Sequence, residues 1–190
     1  MEHEPRIAPL TREQFGPEAL ETLAGLRAMQ SLPPLSEVPE FVATMLHHGD
    51  LFQKQIDLTG ALFNGELDVR DRELAILRTT WLCQAPFVFG QHVGVSKVLC
   101  GFTTEDIERI IMGSIATEWD EHSRAILCAA EELHECAEIS DATWDILTRK
   151  LNSKQLIELP VLVGQMHGVA FVQRSLRVRL MPGEKGLDAR

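Results

Sequence analysis

The sequence predicts an all-α protein with a single multihelical domain of about nine helices. Apolar residues recur at three- and four-residue intervals through most of the 190 residues, and this spacing places them on one face of a helix. No segment alternates apolar and polar residues convincingly enough to predict a β-strand. A composition of 45% hydrophobic and 24% charged residues is typical of one soluble globular domain.

The charge balance argues against several classes of partner. The formal net charge is −10, from 18 Lys and Arg against 28 Asp and Glu. Nucleic acids and anionic membrane surfaces are bound by clustered cations, so we expect neither as a partner. The acidic N-terminus lacks the apolar core of a signal peptide, and no apolar run reaches the length expected of a membrane span.

Four cysteines are scattered along the chain at positions 83, 100, 128 and 136. Their spacing matches neither a zinc motif nor a Cys-x-x-Cys redox motif. Scattered thiols in a chain without a predicted secretion signal are typical of a reducing compartment, so we expect a cytoplasmic protein.

The two ends of the chain are predicted to flank the helical domain. Residues 1–16 form an arm, because prolines and a glycine interrupt any helix there. The domain spans residues 17–183 and begins with a helix at Pro17, since proline suits a first helical turn. Residues 184–190 form a C-terminal tail.

The first half of the domain is predicted to hold three helices. The first runs from Pro17 to about residue 30, and prolines at 33, 34 and 39 predict a linker after it. A short amphipathic helix follows over residues 41–46. A third helix, capped by Asp50, runs to residue 63 and is ended by Asn64 and glycine.

The second half of the domain is predicted to hold six helices. They span residues 68 or 71 to 82, 86–100, 103–112, 120 or 121 to 136, 140–151 and 153–178. Polar residues that can accept from free backbone N–H groups mark their starts. A tight turn over residues 84–86 joins the first two of these helices into a hairpin.

This hairpin carries the most informative pair of polar residues, Glu73 and His92. His92 shares a helix face with Val88, Val95 and Leu99, so an imidazole is expected in an apolar stripe. A lone histidine there is most simply a core residue. Glu73 is most simply a carboxylate at a helix start or a partner of Arg70 or Arg78. A buried Glu beside a His would instead share a proton.

The register of the hairpin argues against a simple direct contact between the two side chains. When the two helices of the hairpin lie side by side, Glu73 is opposite about residue 96. That position is four residues, or about 6 Å along the helix axis, from His92. We therefore expect the pair to meet through side-chain reach, a water or a bound substrate.

The other histidines are harder to interpret. His167 lies on the last helix beyond Pro160, whose missing hydrogen bond predicts a kink that could open a pocket. His122 and His134 are expected on a solvated polar face. No pattern of paired His and carboxylate residues predicts a metal site.

Several short segments of the sequence resemble those of the carboxymuconolactone decarboxylase family, which shares its fold with alkylhydroperoxidase D. They are residues 70–78 (RDRELAILR), Trp81, 90–93 (GQHV), 101–103 (GFT), 139–144 (ISDATW) and 158–164 (ELPVLVG). The resemblance implies an all-helical subunit that assembles into trimers or hexamers, with its site near a subunit interface and no cofactor.

The resemblance also implies which residues of this chain match the catalytic residues of the family. In the peroxidase branch a Glu, a Cys-x-x-Cys pair and a His form a proton relay, and these positions fall on Glu73, on Ala85 and Val88, and on His92. Because both thiols are missing, disulfide-based peroxide reduction is not expected. The resemblance therefore implies a proton relay reduced to its acid/base half, in an unusually apolar pocket.

Three functional hypotheses follow, in order of preference. The first is a cofactor-free acid/base enzyme acting on a small organic acid, lactone or carbonyl compound, with His92 as general acid/base and Glu73 as its orienting partner. Candidate substrate-binding residues are Gln91, Trp81, Phe87, Val88, Phe89 and His167. The second is a catalytically silent, oligomeric protein that binds small molecules, and the third is a thiol peroxidase.

Overall fold

The computed structural model describes residues 4–29 and 38–190, and regular structure within these ranges is entirely helical, as predicted. The helices are α1 (Pro17–Met29), α2 (Glu40–Met45), α3 (Gly49–Phe63), α4 (Val69–Leu82), α5 (Pro86–Cys100), α6 (Thr104–Met112), α7 (Glu121–Cys136), α8 (Asp141–Leu147) and α9 (Ser153–Leu176). Short 3-10 helices cover Arg12–Gln14, Leu46–His48 and Gly186–Asp188. The linker predicted at Pro33 and Pro34 lies outside the described residues.

Helix α4 is the centre of the fold. It packs against α5, α6, α7 and α9, and residues 74–77 have no exposed surface. A helix covered on several sides buries polar residues along with apolar ones, and α4 accordingly buries Asp71, Arg72 and Glu73. Burial at this level requires each of these charges to have a partner.

Most helix starts follow the predicted capping pattern, with three differences. Asp50 does not cap α3, because the helix already begins at Gly49 and its N-cap residue, His48, makes no side-chain cap hydrogen bond. Asp68 caps α4 by accepting from the Arg70 backbone N–H at 2.8 Å, so Asp71 is not the cap. Asn152, one residue before the predicted Ser153, caps α9. Both choices satisfy free N–H groups of the first turn, and the capping role passes to the residue with extended backbone geometry.

Helix α8 is shorter than predicted, because it ends at Leu147 and not at Leu151. The Arg149 and Lys150 N–H groups bond to carbonyls three residues back, at 3.2 and 3.1 Å. Bonds of this kind tighten and end a helical turn.

The hairpin of α4 and α5 turns through three residues. The Cys83 N–H bonds to the Thr79 carbonyl, Gln84 adopts a left-handed conformation at φ 53°, and the Ala85 N–H bonds to the Thr80 carbonyl at 2.9 Å. Pro86 then occupies the first turn of α5, where its missing N–H costs nothing. This compact turn brings α4 and α5 side by side.

Residues 6–10 and the C-terminal segment both pack on the helices. The Arg6 N–H bonds to the Leu176 carbonyl at 2.9 Å, and the Leu10 N–H to the Ala43 carbonyl at 3.3 Å. The segment Gly186–Asp188 packs on α5, and Lys97 Nζ donates to the Arg190 carbonyl at 2.6 Å. The C-terminal segment therefore covers one face of α5.

Helix α9 is long and apolar enough, by length and composition alone, to cross a membrane, which corrects the expectation that no run reaches that length. Its most apolar 18-residue window has a mean hydropathy of 1.3, and 28% of that window is buried. Core helices of soluble proteins pass the same test, and α9 packs against α3, α4, α5 and α7. The helix continues across Pro160 without a break.

Candidate functional site

Glu73 and His92 are in direct contact. His92 Nδ1 lies 2.8 Å from Glu73 Oε2, joining the first half of α4 to the middle of α5. The Glu73 side chain is 0% exposed and that of His92 is 12% exposed. The carboxylate is thus sealed in the protein, while the imidazole keeps a narrow opening towards solvent.

This contact corrects the expectation that the Glu73 and His92 side chains do not touch directly. The estimated offset of about 6 Å along the helix axis is bridged because a glutamate side chain and an imidazole each extend several bonds from the backbone. Of the three routes considered, side-chain reach is the one that the structure shows.

Arg72 and Phe63 complete the surroundings of the pair. Arg72 Nε lies 3.4 Å from Glu73 Oε1, and its Nη1 donates to the Phe63 carbonyl at 2.8 Å. The Phe63 ring lies 4.6 Å from the Arg72 guanidinium carbon and 5.8 Å, centroid to centroid, from the His92 ring. The buried Glu73 carboxylate therefore faces the Arg72 guanidinium and the His92 imidazole, and the Phe63 ring lies near both of them.

The hydrogen bond determines which nitrogen of His92 is available for chemistry. A carboxylate only accepts hydrogen bonds, so Nδ1 carries a proton and donates it to Glu73. In the neutral imidazole Nε2 then holds the free lone pair, and among the described residues it has no hydrogen-bond partner. The arrangement gives a base at Nε2 whose protonated form is stabilised by the Glu73 carboxylate.

The two positions matched to the missing thiols carry buried apolar side chains. Ala85 has no exposed surface, and Val88 is buried one helical turn before His92. The nearest cysteine in sequence, Cys83, has its Sγ 3.8 Å from His134 Nδ1, so it belongs to a different group of side chains. The two positions that would supply thiols to Glu73 and His92 therefore carry none.

The aromatic residues proposed as pocket walls have several different environments. Phe89 is fully buried against Trp81, with ring centroids 5.4 Å apart. Phe87 stacks on Phe41 at 5.6 Å. Trp81 also lies under the Arg190 guanidinium, 5.8 Å from it. These rings stabilise the packing around α5, and the structure does not gather them beside His92.

Gln91 lies away from His92, on the α5 face covered by the C-terminal segment. Its Nε2 donates to Glu184 Oε1 at 2.8 Å. Together with Phe87 and Lys97 it lines a cavity of about 330 Å³ between α5 and residues 180–190. The structure therefore does not bring Gln91 and His92 together.

His122 is not solvated as expected, because it contacts Asp71. Its Nε2 lies 2.7 Å from Asp71 Oδ2, and both side chains are largely buried, at 12% and 10% exposed. Asp71 lies in the first turn of α4 and His122 in the first turn of α7. The contact is a second carboxylate–imidazole pair, and it joins two helix starts.

His134 and His167 also meet, which corrects the expectation that His134 lies on a purely solvated face. His134 Nδ1 lies 2.9 Å from His167 Nε2, and Cys83 Sγ is close to the same His134 nitrogen. Burial, followed by the charge on His167, lowers the pKa of His134. Burial raises the pKa of the Cys83 thiol to about 11. His167 is thus part of a Cys–His–His cluster and not of the Glu73–His92 pair.

Three features of these sites had no clear sequence signal. Arg72 adjoins Glu73 in sequence, but the arginines considered as its partner were Arg70 and Arg78. Arg70 instead covers the Phe102 ring, and Arg78 pairs with Glu131 at 2.8 Å. Phe63 and the Cys83 cluster are contributed by helices far apart in sequence, which residue spacing does not relate.

Comparison with solved structures shows that the chain has an alkylhydroperoxidase D-like fold. The alkylhydroperoxidase AhpD core protein of Ralstonia eutropha JMP134, an uncharacterized peroxidase-related protein, superposes with a TM-score of 0.78 at 14% identity over 95% of this chain and 94% of that chain. An uncharacterized peroxidase-related protein from Silicibacter sp. TM1040 gives 0.75 at 19% identity over 97% and 96%.

The same fold occurs in a debrominase. A cysteine-to-alanine variant of the debrominase Bmp8, in complex with 2,3,4-tribromopyrrole, superposes with a TM-score of 0.75 at 14% identity over 96% of this chain and 95% of that chain. No protein-family model and no curated protein sequence matches the chain. These neighbours are similar to the chain in fold, and the fold is common to peroxidase-related proteins and a debrominase.

Proposed function

We propose that the chain is a cofactor-free acid/base enzyme of the carboxymuconolactone decarboxylase family, acting on a small organic acid, lactone or related carbonyl compound. The observation that carries this proposal is the 2.8 Å contact between His92 Nδ1 and a Glu73 carboxylate with no exposed surface. Such a contact holds one imidazole tautomer and orients Nε2 as the proton-transfer atom.

In a decarboxylation, the carbon–carbon bond to the carboxylate breaks and its electron pair stays on the substrate as a carbanion or enolate. Protonated His92 delivers the Nε2 proton to that carbon, and CO₂ leaves. In an isomerisation, Nε2 first removes a proton from a carbon next to a carbonyl and then returns it elsewhere. Glu73 accepts the hydrogen bond from His92 Nδ1 and holds the orientation of the imidazole during both reactions.

The nature of the substrate is inferred from the surroundings of His92. The Phe63 ring packs near the imidazole, Val88 is buried one helical turn before His92, and Arg72 is occupied by Glu73 and by a backbone carbonyl. An apolar or aromatic-derived acid suits these neighbours better than a strongly polar one. The debrominase complex supports this choice, since the same fold accepts a brominated pyrrole there.

We also propose that the functional unit is a cytoplasmic homo-oligomer, a trimer or a hexamer. Ile157, Val161 and Phe171 are exposed on α9 at 66%, 42% and 63%. An exposed apolar helix face of this kind supports subunit contact. Free cysteines at all four positions support a reducing compartment.

Proton exchange in deuterated water tests the enzymatic proposal. The full chain is incubated with carboxymuconolactone, a β-keto acid and a cyclic ketone, and ¹H NMR follows deuterium uptake and loss of the carboxylate. We expect turnover of at least one compound, and a loss of about 10²- to 10⁴-fold in His92→Gln. An exposed histidine variant, His48→Gln, serves as the matched control.

The alternative is a catalytically silent small-molecule-binding protein, and the apolar residues Ala85 and Val88 at the positions matched to the peroxidase thiols favour it over a thiol peroxidase. In that case His92→Gln retains ligand affinity and no compound is turned over by the wild-type chain. Equal turnover by wild type and His92→Gln would contradict the assignment of His92 as the acid/base.

A further inference from the structure

The side chains of Cys83, His134 and His167 converge at a point that the Glu73–His92 pair does not use. Cys83 follows α4 directly, His134 lies near the end of α7 and His167 lies in the middle of α9. One ligand atom from each lies within 4.8 Å of the other two. Cys83 is ten residues beyond Glu73, which is about 15 Å along a helix axis.

We propose that Cys83, His134 and His167 form a site for a zinc ion, with the fourth coordination position open to water or a small ligand. One thiolate and two imidazoles are a donor set that Zn²⁺ prefers, and three protein ligands with one open position are typical of zinc sites that bind an exogenous molecule.

The spacing of the ligand atoms suits one ion. Donor atoms around a tetrahedral zinc lie about 3.3–3.6 Å apart, given the usual Zn–N and Zn–S distances. Cys83 Sγ is 3.8 Å from His134 Nδ1, and His134 Nδ1 is 2.9 Å from His167 Nε2. One of these separations is slightly longer and the other slightly shorter than the values expected around zinc. Small side-chain rotations would bring all three donor atoms to bonding distance from one ion.

The backbone already orients one of the ligands. His167 Nδ1 lies 2.9 Å from the Val163 carbonyl oxygen, one turn earlier on α9. A carbonyl only accepts, so Nδ1 carries the proton and the lone pair is on Nε2, the atom that faces His134 and Cys83. Histidines that bind metals characteristically donate their other ring N–H to a carbonyl or carboxylate in this way.

The proton balance of binding is simple. With the lone pair of His167 on Nε2, His134 donates its Nδ1–H to that atom in the metal-free protein. On binding, His134 adopts the tautomer with the proton on Nε2, and Cys83 releases its thiol proton to solvent. One proton is therefore released for each zinc ion bound, and no oxidant or reductant takes part.

The two arginines whose charges act on Cys83 and His134 have other hydrogen-bond partners. Arg78 is paired with Glu131 at 2.8 Å, and Arg174 donates to the Gln84 carbonyl at 2.8 Å. Coordination by a thiolate removes one unit of the ion's charge. His134 is exposed, so an ion and its fourth ligand can enter from solvent.

Cobalt and zinc titrations of the purified full chain, freed of metal with a chelator, test the site. We expect one equivalent of Co²⁺ to produce thiolate-to-metal charge-transfer absorption, and Zn²⁺ to displace it and raise Tm by mass action. His134→Ala and His167→Ala should each weaken binding by more than about 100-fold, beyond the usual 10–100-fold effect of an outer-shell change. Cys83→Ala should abolish the charge-transfer absorption.

Matched controls separate this site from scattered metal binding. Cys100→Ser removes another half-buried thiol, which donates to the Val69 carbonyl, and His48→Ala removes an exposed histidine. Both should bind as the wild type does. His134 is exposed, so its variant keeps the test decisive if a Cys83 variant fails to fold. Absence of the absorption in wild type, its persistence in Cys83→Ala, or unchanged affinity in His134→Ala would overturn the proposal.

Discussion

His122 Nε2 lies 2.7 Å from Asp71 Oδ2, and this contact repeats, two residues earlier on α4, the pairing of Glu73 with His92. The two acidic residues point to different helices, because residues two apart on a helix lie on opposite faces. Asp71 holds the start of α7 and Glu73 holds the middle of α5. We infer that the first pair stabilises the fold and that the second carries the proposed chemistry.

Loss of the Asp71 carboxylate should destabilise the protein without changing turnover. Asp71→Asn leaves the buried His122 with a weaker partner, and we expect a decrease of about 1–3 kcal/mol in the free energy of unfolding. Urea unfolding followed by circular dichroism measures it. Asp145→Asn, at an exposed position, is the control, and an unchanged urea midpoint in Asp71→Asn would contradict the stabilising role.

Loss of the Glu73 charge should reduce turnover through His92. Glu73→Gln keeps the size of the side chain but removes the negative charge that stabilises the imidazolium form, so kcat should fall by about 10²- to 10³-fold. The double variant with His92→Gln should be no slower than His92→Gln alone, since residues that act as a unit are not additive. A loss in the double variant equal to the sum of the two single-variant losses, in kcal/mol, would show that Glu73 acts independently of His92.

The Asp120 cap of α7 should make stability depend on pH in the acid range. Hydrogen bonds from the Ser123 hydroxyl and backbone N–H hold the pKa of Asp120 below its ordinary value of 3.8. A lowered folded-state pKa contributes stability that is complete above pH 3.8 and is lost as the pH falls through the folded value.

The variant Asp120→Ala should therefore lose about 1 kcal/mol near neutral pH and show a shallower decline in stability below pH 3.8. Thermal unfolding at several pH values measures both effects. Asp145→Asn again serves as the control, and parallel stability curves for wild type and Asp120→Ala would contradict the prediction.

Peroxide consumption should not depend on the cysteines. The positions matched to the peroxidase thiols are Ala85 and Val88, so we expect a variant with all four cysteines replaced by alanine to consume cumene hydroperoxide, with a dithiol reductant, at the same background rate as wild type. A rate that falls to the uncatalysed level only in the variant would revive the thiol-peroxidase hypothesis.

The exposed apolar face of α9 should mediate assembly. Ile157→Glu places a charge on a surface that is 66% exposed in the single chain, and burying that charge between subunits is costly. We expect light scattering to give a trimeric or hexameric mass for wild type and a smaller one for Ile157→Glu. Ile115→Glu, exposed outside α9, is the control, and a monomeric wild type would contradict assembly.

Much of the fold could be predicted from local patterns in the sequence. Apolar periodicity and caps placed α4 and α5 within a residue or two, because both signals depend on neighbours within one or two turns. The end of α8 and the cap of α9 were missed, since the competing turn bonds after Leu147 and the extended backbone of Asn152 are matters of local geometry that residue type alone does not specify.

The candidate sites, like the fold, were predicted only in part from the sequence. By itself, the sequence determined the helical architecture and singled out Glu73 and His92 as a matched acid and imidazole. Only the tertiary structure decided that the two side chains touch and that Arg72 is the third member of their group. It alone also brings together Cys83, His134 and His167, which are 51 and 33 residues apart in the sequence. Helical periodicity specifies which face of a helix is buried, but the face it meets is determined by the packing of the whole chain around α4.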